Sequence, residues 1–163
     1  MAQFSTITPC LWFNGEAEAA AAFYISVFPN SGITAISRYG AGMHFPEGTV
    51  LLVEFTLAGQ HFQALNGGPQ HPHTQAISLS INCRDAAEVD HYWSALTAMG
   101  GEEVQCGWLK DRFGVSWQVV PDGLLALVAD PDPVRASRAI QAVGQQIKLD
   151  LAAIRAAVEG GAS

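Results

Sequence analysis

The sequence predicts an α+β protein made of two βαβββ modules and finished by C-terminal helices. Three observations carry this reading. The order strand, helix, then three strands can be read twice along the chain. A Gly-x-x-aromatic-Gln pattern occurs once in each half, "GQHFQAL" from Gly59 lying over "GVSWQVV" from Gly114, which sets Gln63 on Gln118. An aromatic pair marks each helix, Phe23-Tyr24 in the first and Tyr92-Trp93 in the second. Agreement of element order, helix aromatics and strand pattern is what a repeated supersecondary unit produces.

Taken in order, "ITPCLWF" (Ile7–Phe13) alternates as a strand, and "NGEAEAAAAFYISVF" reads as a helix that starts near Asn14 and stops before Pro29. "ITAISRYG", "TVLLVEFTLAG" and "HFQALNGGP" are three strand candidates, the last two joined at Ala58-Gly59. Gly40, Gly42, Pro46 and Gly48 mark the loop between the first and second of them. The pattern then restarts with a strand in "QAISLSIN" (Gln75–Asn82), a helix in "DAAEVDHYWSALTAMGG", and up to three short strands in "EEVQCGWLKDRFGVSWQVVP". Beyond Pro121, Asp132 is an expected N-cap with Pro133 at the first helical position, where a missing N–H is harmless. Ile140, Val143 and Ile147 form one helical stripe, and Leu151, Ile154 and Val158 another. One domain over residues 1–163 is expected, with modules at 5–68 and 75–128 and a helical extension at 130–160 that covers the sheet or a partner subunit.

Composition narrows the function classes. The chain is 49% hydrophobic and 14% charged, the balance of a folded protein rather than a disordered one. Its net charge of −7, without any Lys/Arg cluster, speaks against nucleic acid and against anionic membrane surfaces as partners. "MAQFSTITPCLWF" lacks the basic and long apolar regions of a signal peptide, and no apolar run approaches a membrane span. Cys10, Cys83 and Cys106 are odd in number and far apart, so neither a disulfide framework nor a zinc ribbon is indicated. A cytoplasmic protein is expected.

"TPCLWFNGEAEAAAAFY", "LNGGP", "AISLSINC", "CGWLKDRFGVSWQVVP" and "DPDP" together resemble the PhnB-like branch of the vicinal oxygen chelate superfamily, which includes glyoxalase I and bleomycin-resistance proteins. The likeness runs from about residue 5 to residue 155. It implies sheets curved around a cavity and a homodimer. Members of this branch often carry the label 3-demethylubiquinone 3-methyltransferase. A nucleotide-type methyltransferase needs a doubly wound sheet and a glycine-rich turn after its first strand, and no G-x-G-x-x-G is present.

In metal-dependent relatives the resemblance implies up to four inward His or Glu ligands, from the first and last strands of each module. Strand alternation and the repeat bring those positions near Thr8, Gln63, Ala76 and Gln118. In the second module, Ile77, Leu79 and Ile81 are expected on the helices, with Ala76, Ser78 and Ser80 facing the cavity. Thr8, Cys10 and Trp12 are the equivalent inward set, joined by His61, Gln63 and Leu65 and by Ser116, Gln118 and Val120. Relatives with a metal place a carboxylate where Gln118 stands. An amide is a weak ligand for a transition metal, and alanine and threonine offer almost nothing, so no metal or other cofactor is expected.

The expected cavity wall is Thr8, Cys10, Trp12, His61, Gln63, Ser78, Ser80, Trp108 and Gln118. An aromatic pocket with a few polar tips suits a small, planar or mostly apolar organic ligand, whose identity the sequence leaves open. No residue is assigned as catalytic. Cys106 lacks a neighbouring base or cation and reads as a strand thiol. Lys110, Asp111 and Arg112 read as a solvated hairpin turn closed by Gly114, Gly67-Gly68-Pro69 as a module-linking turn rather than an anion nest, and His71 and His73 as solvated loop residues. The favoured function is a metal-independent small-molecule-binding protein. The alternatives are a metal-dependent glyoxalase- or dioxygenase-type enzyme with a rearranged site using His61 and Cys10, and a structural module acting through its C-terminal helices.

Overall fold

In the computed structural model, which describes residues 6–160, the chain divides into two compact units with the boundary between His73 and Thr74. The first contains β1 (Cys10–Phe13), α1 (Ala17–Val27), β2 (Gly32–Arg38), β3 (Val50–Leu57) and β4 (Gln60–Asn66). The second contains β5 (Leu79–Cys83), α2 (Ala86–Thr97), β6 (Glu102–Glu103), β7 (Trp108–Lys110) and β8 (Ser116–Pro121), then α3 (Leu124–Val128), α4 (Pro133–Gly144) and α5 (Leu151–Val158). The two sheets have matching strand orders, β1-β4-β3-β2 and β5-β8-β7-β6. In each the first strand runs parallel to the fourth and all other pairs are antiparallel. Both sheets are open, and the βαβββ repeat read from the sequence is the architecture the chain adopts.

Each unit packs one helix on one sheet face. On α1 the buried residues are Ala17, Ala20, Ala21, Tyr24 and Val27. Four alanine-sized or β-branched side chains let the helix lie close to the strands, and Tyr24 stacks on Phe55 with ring centroids 6.5 Å apart. In α2 the buried set is Val89, Tyr92, Trp93 and Leu96. Tyr24 and Trp93, matched by the repeat, are thus both core residues.

Helix starts show where local and tertiary signals diverge. At α2, the Asp85 carboxylate accepts from the Glu88 N–H at 2.9 Å while Glu88 accepts from the Arg84 N–H at 2.8 Å, a local capping arrangement legible in "RDAAE". At α1 there is no local cap. The Ala17 N–H donates instead to Asn66 Oδ1 at 3.0 Å, from the end of β4, so the helix begins at Ala17 and not near Asn14. Asn66 is buried, its amide donates to the Val50 carbonyl, and its own carbonyl accepts from the Tyr39 hydroxyl at 2.7 Å.

Two expected strands are shorter than their alternation suggested. β1 starts at Cys10 and β5 at Leu79, because each pairs with a single neighbour whose ladder begins there. Thr8 and Ala76 therefore precede the strands. Ile77, expected against a helix, is 76% exposed, while Ile81 is buried as expected.

The C-terminal helices surround a cluster of Leu124, Ala139, Leu149, Ile154 and Val158, with Val120 of β8 packed against it. Val120 was expected among the inward cavity residues; its side chain instead anchors these helices. The Asp132 cap and Pro133 start of α4 are as expected. Ile140 and Ile147 depart from the expected stripe and are exposed, because α4 ends at Gly144 and presents the smaller Ala139 to its neighbours. Helix α3, only five residues long, gave no usable periodicity. No helix among the described residues is long and apolar enough to cross a membrane.

Candidate functional site

Period-two alternation gives each sheet a helix-packed face and an opposite face. In β4, Phe62, Ala64 and Asn66 are buried, while His61, Gln63 and Leu65 are half-buried and point the other way. Gln63 stands opposite Cys10 on one side and Glu54 on the other, so Cys10, Gln63 and Glu54 form a row across the sheet. Gln63 Nε2 lies 3.5 Å from Glu54 Oε1. His61 falls in a separate row, opposite Thr56, and Trp12 in a third, opposite Leu65.

The second unit repeats this geometry. Trp117, Val119 and Pro121 are buried on the helix side of β8, and Gln118 lies on the other face opposite Ser80 and Trp108. Gln118 Nε2 donates to Ser78 Oγ at 2.8 Å. Register therefore makes Gln63 and Gln118 equivalent, Cys10 equivalent to Ser80, and Glu54 equivalent to Trp108. It also corrects one expected position. Thr8 corresponds to Ser78, while Ala76 lies in the turn before β5, where its N–H meets Thr74 Oγ1.

The donor set does not fit a transition metal. The equivalent slots hold two amides, with a hydroxyl at each strand start. Among the described residues, no three or more His, Cys, Asp or Glu side chains converge as a metal site. Cys10 keeps an exposed surface, yet partial desolvation holds its thiol above the ordinary value, which disfavours the thiolate a soft metal requires. Of the two loop imidazoles expected in solvent, His71 is exposed and His73 is half-buried, and each also rests on an aromatic ring. His71 meets Trp12 edge-on at 4.8 Å and His73 meets Phe13 at 5.2 Å. Trp12 and Phe13 are consecutive strand residues on opposite faces, so the two imidazoles rest on rings from different faces of β1.

Other candidates resolve into structural roles. The Gly67 and Gly68 N–H groups both donate to the Phe13 carbonyl, at 3.0 and 3.3 Å, so they form a turn and leave no anion nest. Trp12 Nε1 donates to the Gly68 carbonyl at 2.8 Å, and its ring lies so close that a Cβ on Gly67 would sit 2.1 Å from it. Trp12 is therefore committed to this turn. Trp108, half-buried at the start of β7, stands beside Gln118.

Asp111 is not the solvated turn residue the sequence suggested. It is buried, its Oδ1 accepts from the Phe113 and Val115 N–H groups, and its Oδ2 accepts from Trp117 Nε1 at 2.8 Å. Cys106 is not in a strand. It adopts a left-handed φ of +63°, and its N–H donates to the Gln146 carbonyl at 2.8 Å. Cys83 is buried, and desolvation, aided by Glu88 and Asp85, pushes its thiol up to about 11.

One polar group escaped the sequence reading. Glu54 was signalled by alternation, as the lone charge in "VLLVEFTL" between inward-packed Val53 and Phe55. Ser116, expected inward beside Gln118, is buried on that face, and its Oγ has no hydrogen-bond partner among the described residues.

The family model described as 3-demethylubiquinone-9 3-methyltransferase matches residues 5–120. A putative 3-demethylubiquinone-9 3-methyltransferase, PhnB protein, from Bacillus cereus is 36% identical over 72% of this chain and 99% of its own, with a TM-score of 0.65. A Pseudomonas aeruginosa protein is 22% identical over 73% of this chain and 100% of its own, with a TM-score of 0.59, and shares the fold. So does the fosfomycin resistance protein FosX of Listeria monocytogenes, solved with Mn(II) and a sulfate ion, at 16% identity over 79% of this chain and 97% of its own, with a TM-score of 0.53. Among curated proteins none matches. A duplicated βαβββ frame, a family match over most of its length and a PhnB relative spanned almost end to end place this chain in the PhnB-like, 3-demethylubiquinone-9 3-methyltransferase-like family.

Proposed function

We propose that the chain is a small-molecule-binding protein that works without a metal, using the sheet faces that carry Gln63 and Gln118. The observation behind this reading is the pair of equivalent slots, each filled by a glutamine held by a polar neighbour, Glu54 in one unit and Ser78 in the other. With Nε2 of Gln118 given to Ser78, the amide oxygen remains an acceptor and the Ser78 hydroxyl a donor. Beside them, Trp108 offers a flat apolar wall. The buried Ser116 hydroxyl adds a polar group whose unmet hydrogen bond costs about 1–3 kcal/mol until something satisfies it. A small planar molecule bearing a carbonyl or hydroxyl meets these groups together.

Methyl transfer from a nucleotide-type cofactor gains no support from either sheet, since each has one parallel pair and is otherwise antiparallel. We also take the chain to act as a cytoplasmic homodimer; its free thiols favour a reducing compartment. Analytical ultracentrifugation tests the dimer.

The functional test joins two measurements. Native mass spectrometry of purified protein should reveal a co-purifying organic mass, and Gln118→Ala should weaken its binding by about 1–3 kcal/mol while leaving the fold intact. Tight stoichiometric retention of zinc, nickel, manganese or iron, or unchanged affinity in Gln118→Ala, would overturn the reading.

A further inference from the structure

A pocket of about 480 Å³ lies wholly within the second unit, beyond the end of β8. The first turns of α2 form one wall, and the stretch from Lys148 into α5 forms the other. Val89, Pro121 and Leu149 give it an apolar floor. Its volume is within the range of small-molecule sites.

Most charges on these walls are already engaged. Lys148 Nζ sits 2.5 Å from Asp90 Oδ1, linking one wall to the other. Arg84 is tied to Glu88, and Asp85 and Asp150 accept from backbone N–H groups as helix caps. Two charges remain, the Asp122 carboxylate and the Arg155 guanidinium. Every other Lys and Arg side chain of the protein has a hydrogen-bond, ion-pair or ring partner. Among the described residues Arg155 alone has none. An Arg155 Nη lies 3.2 Å from where a Cβ on Gly123 would be, so the guanidinium rests beside the turn that carries Asp122, yet the two do not pair.

We propose that this pocket binds a small zwitterion, an α-amino acid with an apolar side chain. Its carboxylate meets the Arg155 fork, its ammonium meets Asp122, and its side chain lies on the floor of Val89 and Leu149. Guanidinium and carboxylate make paired, charge-assisted hydrogen bonds. Asp122 and Arg155 are both exposed, so a ligand with only one charge would engage one of them and forgo the other's attraction, which favours a ligand that carries both. Asp122, Lys148 and Arg155 all lie past residue 120, where the family match ends, while the α2 wall lies within it, so both ligand-pairing charges come from this chain's C-terminal addition. It is separate from the Gln63 and Gln118 faces and stands or falls without them.

Isothermal titration calorimetry on the full chain tests it with L-leucine, with isocaproate as the acid alone, and with isoamylamine as the amine alone. Saturable L-leucine binding is expected, with each single-charge analogue weaker by at least about tenfold. Arg155→Gln and Asp122→Asn should each weaken L-leucine by a similar factor at unchanged unfolding midpoints. Arg155→Lys, which keeps the charge and loses the fork, provides a second variant at that wall and should be intermediate. No saturable L-leucine binding up to about 10 mM, equal binding of either analogue, or full affinity in the variants would overturn the proposal.

Discussion

Replacing Gly107 with alanine adds one methyl group where the second unit's sheet meets its C-terminal helices. Gly107 has a φ of +79°, and a Cβ there would lie 2.7 Å from Leu149 Cδ1, 2.9 Å from Leu149 Cγ and 3.0 Å from the Val119 carbonyl oxygen. Left-handed backbone costs an L-residue about 1–2 kcal/mol. Forcing an extra carbon into a packed site adds about 1–3 kcal/mol. Leu149 is 4% exposed within the helical cluster and has little room to retreat. Gly107→Ala should therefore destabilise the fold by about 2–5 kcal/mol. Gly42 separates the two contributions, because its φ is +75° with no neighbour within 4 Å of a built Cβ. Gly42→Ala should show only the backbone cost. Urea denaturation followed by tryptophan fluorescence measures both, and a Leu149→Ala background should remove most of the excess at Gly107. Equal losses for Gly107→Ala and Gly42→Ala within about 0.5 kcal/mol, or no relief in the Leu149→Ala background, would refute the packing argument.

Asp111→Ala should destabilise by about 3–6 kcal/mol in the same assay, since it strands two backbone N–H groups and the Trp117 indole donor; a loss under about 1 kcal/mol would show that water replaces the carboxylate. The Arg135 guanidinium holds Glu159 below its ordinary value of 4.5, and the Asp132 N–H together with Arg135 holds Asp130 below 3.8. A carboxyl depressed in the folded state stabilises fully above its unfolded value and loses that contribution as pH falls through its folded value. Thermal unfolding midpoints should therefore show an Arg135-dependent fall only below about pH 4.5, smaller in high salt. Arg135→Gln should flatten it, and an unchanged slope would remove these carboxyls from the acid response.

The repeat was legible because it is written in features that survive isolation, namely element order, helix aromatics and the paired Gln63 and Gln118. Matching strand order and register in the two sheets gave those glutamines equivalent places. Element boundaries were less legible wherever a distant residue decides them. Asn66 caps α1 from β4, Asp111 ties a turn to Trp117, and His71 and His73 rest on β1. A window of neighbouring residues carries none of these contacts. The expected slot at Ala76 failed because β5 begins only where β8 can pair with it. Alternation placed Ser116 inward but could not show its hydroxyl left unpaired, and the pocket beside Arg155 depends on three-dimensional surroundings with no periodic trace.

Gly107 is also a shared peptide unit. Its carbonyl accepts from the Val119 N–H, its own N–H donates to the Ile147 carbonyl, and the adjacent Cys106 N–H donates to Gln146. The segment the family match includes thus borrows two acceptors from a tail that the match leaves out. Trimming that tail would strip both amides and uncover Val120 in the same cut. An appendage that lends carbonyls to its host becomes hard to lose by small steps, whatever first brought it there.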